Sequence, residues 1–155
     1  MPNPENVINQ EPGLIELKND DILMFIRTDA GVQYFSRSGD GGLTWTDAEP
    51  GNLKSPVSPA SIKRIPSTGD LLAVWNNNNT DNRRTPLTIA ISKDEGETWE
   101  KVKNIEDEPE GWYCYTAIHF TGNHVLLGHC AGNTGERTKL APEQITRLSL
   151  EWIYR

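Results

Sequence analysis

Residues 36–45 read SRSGDGGLTW and residues 90–99 read AISKDEGETW. Aligned, they share Ser-x-Asp-x-Gly-x-Thr-Trp, at Ser38, Asp40, Gly42, Thr44 and Trp45 and again, fifty-four positions on, at Ser92, Asp94, Gly96, Thr98 and Trp99. The residue types describe a tight turn. An aspartate accepts backbone N–H bonds within it, a glycine supplies a positive φ, and Thr-Trp opens the next strand with a ring large enough to pack beneath the loop. The repeated unit is therefore expected to be a fastener rather than a reacting group.

The sequence around this repeat reads as strands. In the first unit GLIEL (Gly13 to Leu17) turns through KNDD into ILMFIR (Ile22 to Arg27), and VQYFSRS leads into the first turn. The second unit runs ASIKRI, turn PSTGD, LLAVWN, a polar loop NNNTDNRR and then LTIAIS into the second turn. A third has YTAIHF, turn TGNH, VLLGHC, another polar loop and a closing ITRLSLEWIYR. Alternating β-branched and aromatic residues bounded by Gly, Asn, Asp and Pro make these strands. The nearest approach to a helix is APEQITRLSLEWI, with Pro142 at a first-turn position. Strand-rich units repeating every ~40–50 residues are the mark of propeller blades, each a four-stranded antiparallel sheet. The expected fold is all-β: a linker over 1–10 and about three blades over 11–55, 56–110 and 111–155, forming a single domain.

Composition narrows the function. The chain has 155 residues, 15 Lys+Arg against 22 Asp+Glu, and a net charge of -7, which repels phosphate backbones. Nucleic acid is not an expected partner. An apolar run such as Ile22–Ile26 falls far short of the ~20 residues that cross a bilayer, and MPNPENVINQ has neither a basic nor an apolar leader region. No membrane partner is expected, and localisation is left open. Cys114 and Cys130 flank the third hairpin, near each other but facing only if the register allows, and read as reduced thiols. His119, His124 and His129 recur every five residues, a spacing that suits joint ligation on neither a helix nor a strand, so no metal or other cofactor is expected.

Strand counting also gathers residues at one rim. Within a blade, strand one starts where strand two ends, and strand three starts there too; its far end, with the repeated turn, lies at the opposite rim. Glu11 and Arg27 are equidistant from residue 19 in the KNDD turn and should meet across the hairpin. Arg83 and Arg84 lie in the loop between strands two and three of the second blade, at the same rim. Tyr113 and Tyr115 open the third blade there as well.

The eight-residue repeat resembles the Asp box of the sialidase (neuraminidase) family and related propellers. QEPGLIELKNDDILMFIR resembles the sialidase segment in which a glutamate precedes a strand, a turn and an arginine of the carboxylate-binding triad; the resemblance implies Glu11 as the tyrosine's assistant and Arg27 as a substrate-carboxylate ligand. RRTPLTIAISKDEGETW is similar to the segment where a second such arginine starts the strand into an Asp box, and the spacing to Ser92 favours Arg84 over Arg83. WYCYTAI resembles the nucleophile segment, with Tyr115 in that role and Tyr113 the alternative. The resemblance covers nearly the whole chain but only the C-terminal half of a six-bladed sialidase. The family's first triad arginine and its acid/base aspartate have no counterpart here; Asp29 and Asp81 lie at the rim, outside the family's acid motif. Trp112 and the two tyrosines also fit an aromatic cluster beneath the rim.

Chemistry accounts for such a set. Sialic acid carries a carboxylate on its anomeric carbon, and guanidinium forks bind it through charge-assisted bonds worth ~1.5–3 kcal/mol each. A carboxylate nucleophile at ~4 Å from that charge, at an effective ε of ~20, would meet about 4 kcal/mol of repulsion. A neutral phenol avoids this, and needs a neighbouring carboxylate to take its proton. The function implied is a portion of a sialidase-like glycoside hydrolase acting on terminal sialic acids or another acidic sugar; the alternative is a carbohydrate-binding or structural propeller piece. Three blades would leave sheet edges open, to be covered by an N-terminal half or by self-association.

Overall fold

The computed structural model describes residues 6–155; the first five residues of the expected linker lie outside them. The chain is all-β, in three antiparallel sheets with one terminal helical turn. The first sheet runs in the order β1 (Asn9–Glu16), β2 (Ile22–Thr28), β3 (Val32–Ser38) and β4 (Glu49–Lys54). The second is β5 (Ser61–Arg64), β6 (Leu71–Asn76), β7 (Leu87–Ser92) and β8 (Glu100–Glu106), again in chain order. The third has β9 (Gly111–Thr121), β10 (His124–Asn133) and β11 (Glu143–Ser149), followed by α1 (Leu150–Tyr154).

Several spans differ from the sequence expectation. β1 begins at Asn9, inside the segment read as linker, because Asn9 and Gln10 pair with Thr28 and Arg27. The third sheet has three strands rather than four among the described residues. Trp45 does not open β4, which starts at Glu49, whereas Trp99 leads directly into β8 at Glu100. The closing segment divides: residues 143–149 pair with β10, and only Leu150–Tyr154 turns helical. Pro142 therefore precedes a strand, not a helix, and the helix N-cap is Ser149, whose Oγ accepts from Trp152 N.

Blade two is the middle of the molecule. Every residue of β6 and β7 is buried, so these strands are apolar on both faces, as sheets covered on both sides are. Leu72, Val74, Ile89 and Ile91 pack toward the third sheet against Tyr113, Ile118, Val125 and Leu127, a layer that α1 closes with Leu150 and Ile153. Leu71, Ala73, Trp75 and Ala90 pack toward the first sheet against Leu23, Phe25 and Leu53. The first strands are neighbours: Ser61 Oγ of β5 donates to Thr116 O of β9 (2.6 Å), and Lys63 Nζ to Ile118 O (3.0 Å).

The two repeated turns are superposable in their bonding. Ser38 Oγ accepts from Gly42 N (2.9 Å), while Asp40 accepts from Thr44 N (2.9 Å) and Thr44 Oγ1 (2.5 Å). Ser92 Oγ accepts from Gly96 N (2.8 Å), while Asp94 accepts from Thr98 N (2.8 Å) and Thr98 Oγ1 (2.5 Å). Both glycines have φ +91°, a conformation a side chain resists, and each lies over its tryptophan ring. The rings differ in their N–H partner. Trp45 Nε1 donates within its own turn to Gly42 O, whereas Trp99 Nε1 donates to Asn52 Oδ1 of the preceding blade. Both turns sit at the rim of the β1–β2 turn: Glu95, beside the second, accepts from Lys18 N (2.9 Å).

Candidate functional site

Two irregularities of the same kind shape the opposite rim. In β1 the register shifts between Gln10, which pairs with Arg27, and Gly13, which pairs with Phe25, so that Glu11 and Pro12 together oppose Ile26. In β9 Cys114 pairs with Cys130 and Ala117 with Gly128, so that Tyr115 and Thr116 together oppose His129. Such a bulge bends the strand and re-aims a side chain. The first residue of each is in the left-handed region, Glu11 at φ +48° and Tyr115 at φ +56°. For non-glycine residues this costs of order 1–3 kcal/mol, a strain that clusters at ligand sites. Beside the first bulge, Gly13 leaves room for the Phe25 ring, which would stand 2.2 Å from an added Cβ.

The bulges turn Glu11 and Tyr115 toward one another although 104 positions separate them: Tyr115 Oη donates to Glu11 Oε1 at 3.1 Å. The other oxygen, Glu11 Oε2, accepts from Arg27 Nη1 at 2.8 Å. The Arg27 side chain is 14% exposed, and its Nε is buried without a hydrogen-bond partner among the described residues. Arg84, 8% exposed, lies with Cζ 5.4 Å from the Tyr115 ring centroid and 5.1 Å from that of Trp112. Its Nη2 donates to Val57 O (3.3 Å) in the connection from β4 to β5. Burial pushes the Glu11 carboxyl up, but the bond and charge of Arg27, the Tyr115 hydroxyl and the charge of Arg84 together outweigh it and hold it below the usual carboxylate value. An ionised carboxylate thus accepts the phenol's hydrogen bond. Beside Tyr115 opens a cleft of about 590 Å³, lined also by Ala117, Gly128, Cys130, Glu143 and Ile145.

The structure separates the paired candidates. Arg83 turns outward to Pro109 O and Glu110 Oε1, both at 3.2 Å. Tyr113 is buried, its ring edge-on to His129 at 6.0 Å, and its phenol is pushed up by burial and by Glu106, Glu108 and Asp107. The alternation of β9 makes Tyr113 a core residue before the bulge breaks the pattern. Asp29 and Asp81 line a separate hollow of about 220 Å³ with Gly31, Ser55 and Val57. Asp29 accepts from Ile8 N, and Asp81 from Asn78 Nδ2 and Arg83 N, so both are engaged by backbone and loop groups.

One rim residue had no signal in the sequence. Lys139, in the polar loop after β10, sets Nζ 4.4 Å from the Trp112 ring, so that this ring is flanked by two cations. Among the described residues no group of three or more His, Cys, Asp and Glu side chains could hold a metal ion, and no helix is long and apolar enough to cross a membrane.

The three sheets define part of a β-propeller. The chain matches the BNR repeat-like domain over residues 4–127, and it belongs to that family. No curated protein sequence matches it. Its fold is similar to that of the leech intramolecular trans-sialidase in complex with 2,7-anhydro-Neu5Ac, at TM-score 0.73 and 18% identity, covering 92% of this chain and 24% of that one. It is similar to the NanB sialidase of Streptococcus pneumoniae, at TM-score 0.73 and 20% identity, covering 94% and 24%. It is also similar to an α-L-arabinanase of Penicillium chrysogenum in complex with arabinobiose, at TM-score 0.64 and 17% identity, covering 93% and 47%. The chain thus spans about a quarter of the sialidase structures and about half of the arabinanase.

Proposed function

We propose that this chain carries the tyrosine side of a sialidase-like glycoside hydrolase site for terminal sialic acids. The observation that carries the reading is the continuous chain of contacts Tyr115 Oη to Glu11 Oε1 (3.1 Å) and Glu11 Oε2 to Arg27 Nη1 (2.8 Å), with Arg84 against the tyrosine ring. In this reading Tyr115 Oη attacks the anomeric carbon as its proton passes to Glu11, the bond to the departing sugar breaks, and a tyrosyl-glycosyl intermediate forms that water then hydrolyses with retention. Arg27 and Arg84 hold the substrate carboxylate. Arg27 also keeps Glu11 ionised and so able to take the proton. The left-handed backbone at Glu11 and Tyr115 supports the assignment, since it holds both side chains in place before substrate arrives.

A second reading is binding of the acidic sugar without turnover. The hydrogen-bonding of Asp29 and Asp81 favours it, since the leaving oxygen needs an acid and both rim aspartates serve their own loops. One assay separates the two: hydrolysis of a fluorogenic sialoside beside titration with a sialic-acid analogue. Wild type should bind the analogue. Arg84→Ala should weaken binding by about tenfold to a hundredfold, since each charge-assisted contact is worth ~1.5–3 kcal/mol. Tyr115→Phe should keep binding and lose any hydrolysis. Hydrolysis by Tyr115→Phe at the wild-type rate would overturn the first reading, and analogue binding that ignores Arg84→Ala would overturn both.

A further inference from the structure

The pairing of Cys114 with Cys130 lies next to the Tyr115 bulge and takes no part in the chemistry above. The two are register partners across β9 and β10 at the edge of the Tyr115 bulge. Directly opposed residues of an antiparallel pair point to the same face with Cα atoms ~4.5–5.5 Å apart. A disulfide spans Cα separations of ~4.4–6.8 Å, so the backbone already satisfies it. Both are free thiols, Cys114 buried and Cys130 partly exposed at the wall of the cleft beside Tyr115. Burial pushes the Cys114 thiol up, while the charge of the Arg84 guanidinium acts to lower it.

We propose that Cys114 and Cys130 are a modification site, a thiol pair that a low-molecular-weight disulfide of the glutathione class oxidises to an intramolecular disulfide beneath Tyr115 and Arg84. Access orders the steps. The Cys130 thiolate attacks the external disulfide, forming a mixed disulfide and releasing one small thiol. The Cys114 sulfur then attacks Cys130 Sγ; the protein disulfide forms, a second small thiol leaves, and the Cys114 proton passes to solvent. The protein loses two electrons and two protons, and the external disulfide is reduced to two thiols. Burial pushes the Cys114 thiol up to about 11, against the lowering by Arg84, which makes the second attack the slow one. Oxidation replaces the Cys114 thiol below Arg84 with a disulfide sulfur that carries no proton, and any effect on ligand binding rests on the role proposed for that arginine.

The test uses the whole chain, reduced, desalted and incubated with oxidised glutathione before remaining thiols are alkylated. No Lys or Arg stands between Lys103 and Arg137, so one tryptic peptide, residues 104–137, carries both cysteines. Expected is that peptide lighter by two hydrogens and free of alkyl groups, restored by a reductant. Cys114→Ser should stop at a stable mixed disulfide on Cys130, while Cys130→Ser should leave Cys114 unmodified over the same time. A peptide alkylated at both cysteines, a mixed disulfide that never resolves in the wild type, or a disulfide only between chains would overturn the proposal. Titration of the reduced and the oxidised chain with a sialic-acid analogue reads whether the disulfide alters the rim above it. If the reduced chain binds no analogue while the disulfide forms, the functional reading fails and the modification site stands.

Discussion

Glu11 and Tyr115 are each the first of two residues facing one, and each is in the left-handed region. A bulge is needed because regular alternation would give Tyr115 the face opposite to that of Cys114, away from Arg84. The same scale governs the repeated turns, where Asp40 and Asp94 are held down to about 2, first by the Thr44 and Thr98 hydroxyls and then by their N–H groups and the serines. Since these carboxyls have an ordinary value of 3.8, their contribution to stability is complete above that pH and is lost as pH falls through about 2. Glu95, pulled from 4.5 to about 2 chiefly by Arg64, adds to the same acid limb. Melting temperature should therefore fall across this window, and Asp94→Asn should give a lower plateau with a shallower acid slope. An unchanged slope would mean that the aspartate is not part of the turn's bonding in solution.

The elements of the second sheet are buried on both faces, and their mutational response follows. Leu72 is 0% exposed between β6 and the third sheet, whereas Ile145 in β11 is 74% exposed. Leu72→Ala should cost about 2–5 kcal/mol through lost transfer energy and a cavity that rigid strands cannot close, while Ile145→Ala should stay within about 0.5 kcal/mol. Denaturant unfolding of the two variants measures both. Equal costs would contradict the layering. The continuous apolar run Leu71–Trp75 fits a strand covered on both faces but does not say by what; the covering sheets lie more than ten residues away on either side.

Across the whole molecule the blades are joined by polar clamps as well as by the two apolar layers. Arg64 of β5 donates to Glu95 through Nη1 (2.9 Å) and Nη2 (2.7 Å), and also to Glu16 O of β1 (2.7 Å) and Gly69 O (2.7 Å). It thereby ties the second repeated turn to the first sheet. Its side chain is 26% exposed and that of Glu95 is 21% exposed, so solvent screens the pair only in part. Arg64→Ala should cost about 2 kcal/mol, since it removes charge-assisted bonds and strands Glu95. Because the second sheet is shared by both apolar layers, the loss should move one common transition, with far-UV circular dichroism and tryptophan fluorescence melting together. A variant in which the first sheet melts separately would show the clamp, rather than the core, to be the coupling.

The sequence by itself determined the local pieces. The spans of β3, β6 and β7, the pairing of Leu14 with Met24 about the KNDD turn, and the hydrogen-bonding of the two repeated turns follow from alternation and from short-range Ser, Asp, Gly and Thr chemistry, which a strand or turn satisfies with its own neighbours. Tertiary structure decided what side-chain direction controls: the bulges that bring Glu11 to Tyr115, the outward turn of Arg83 against the inward one of Arg84, the burial of Tyr113, and the approach of Lys139 to Trp112. A one-residue slip in a strand sends every side chain to the other face, and only packing against a neighbouring sheet fixes where that slip occurs.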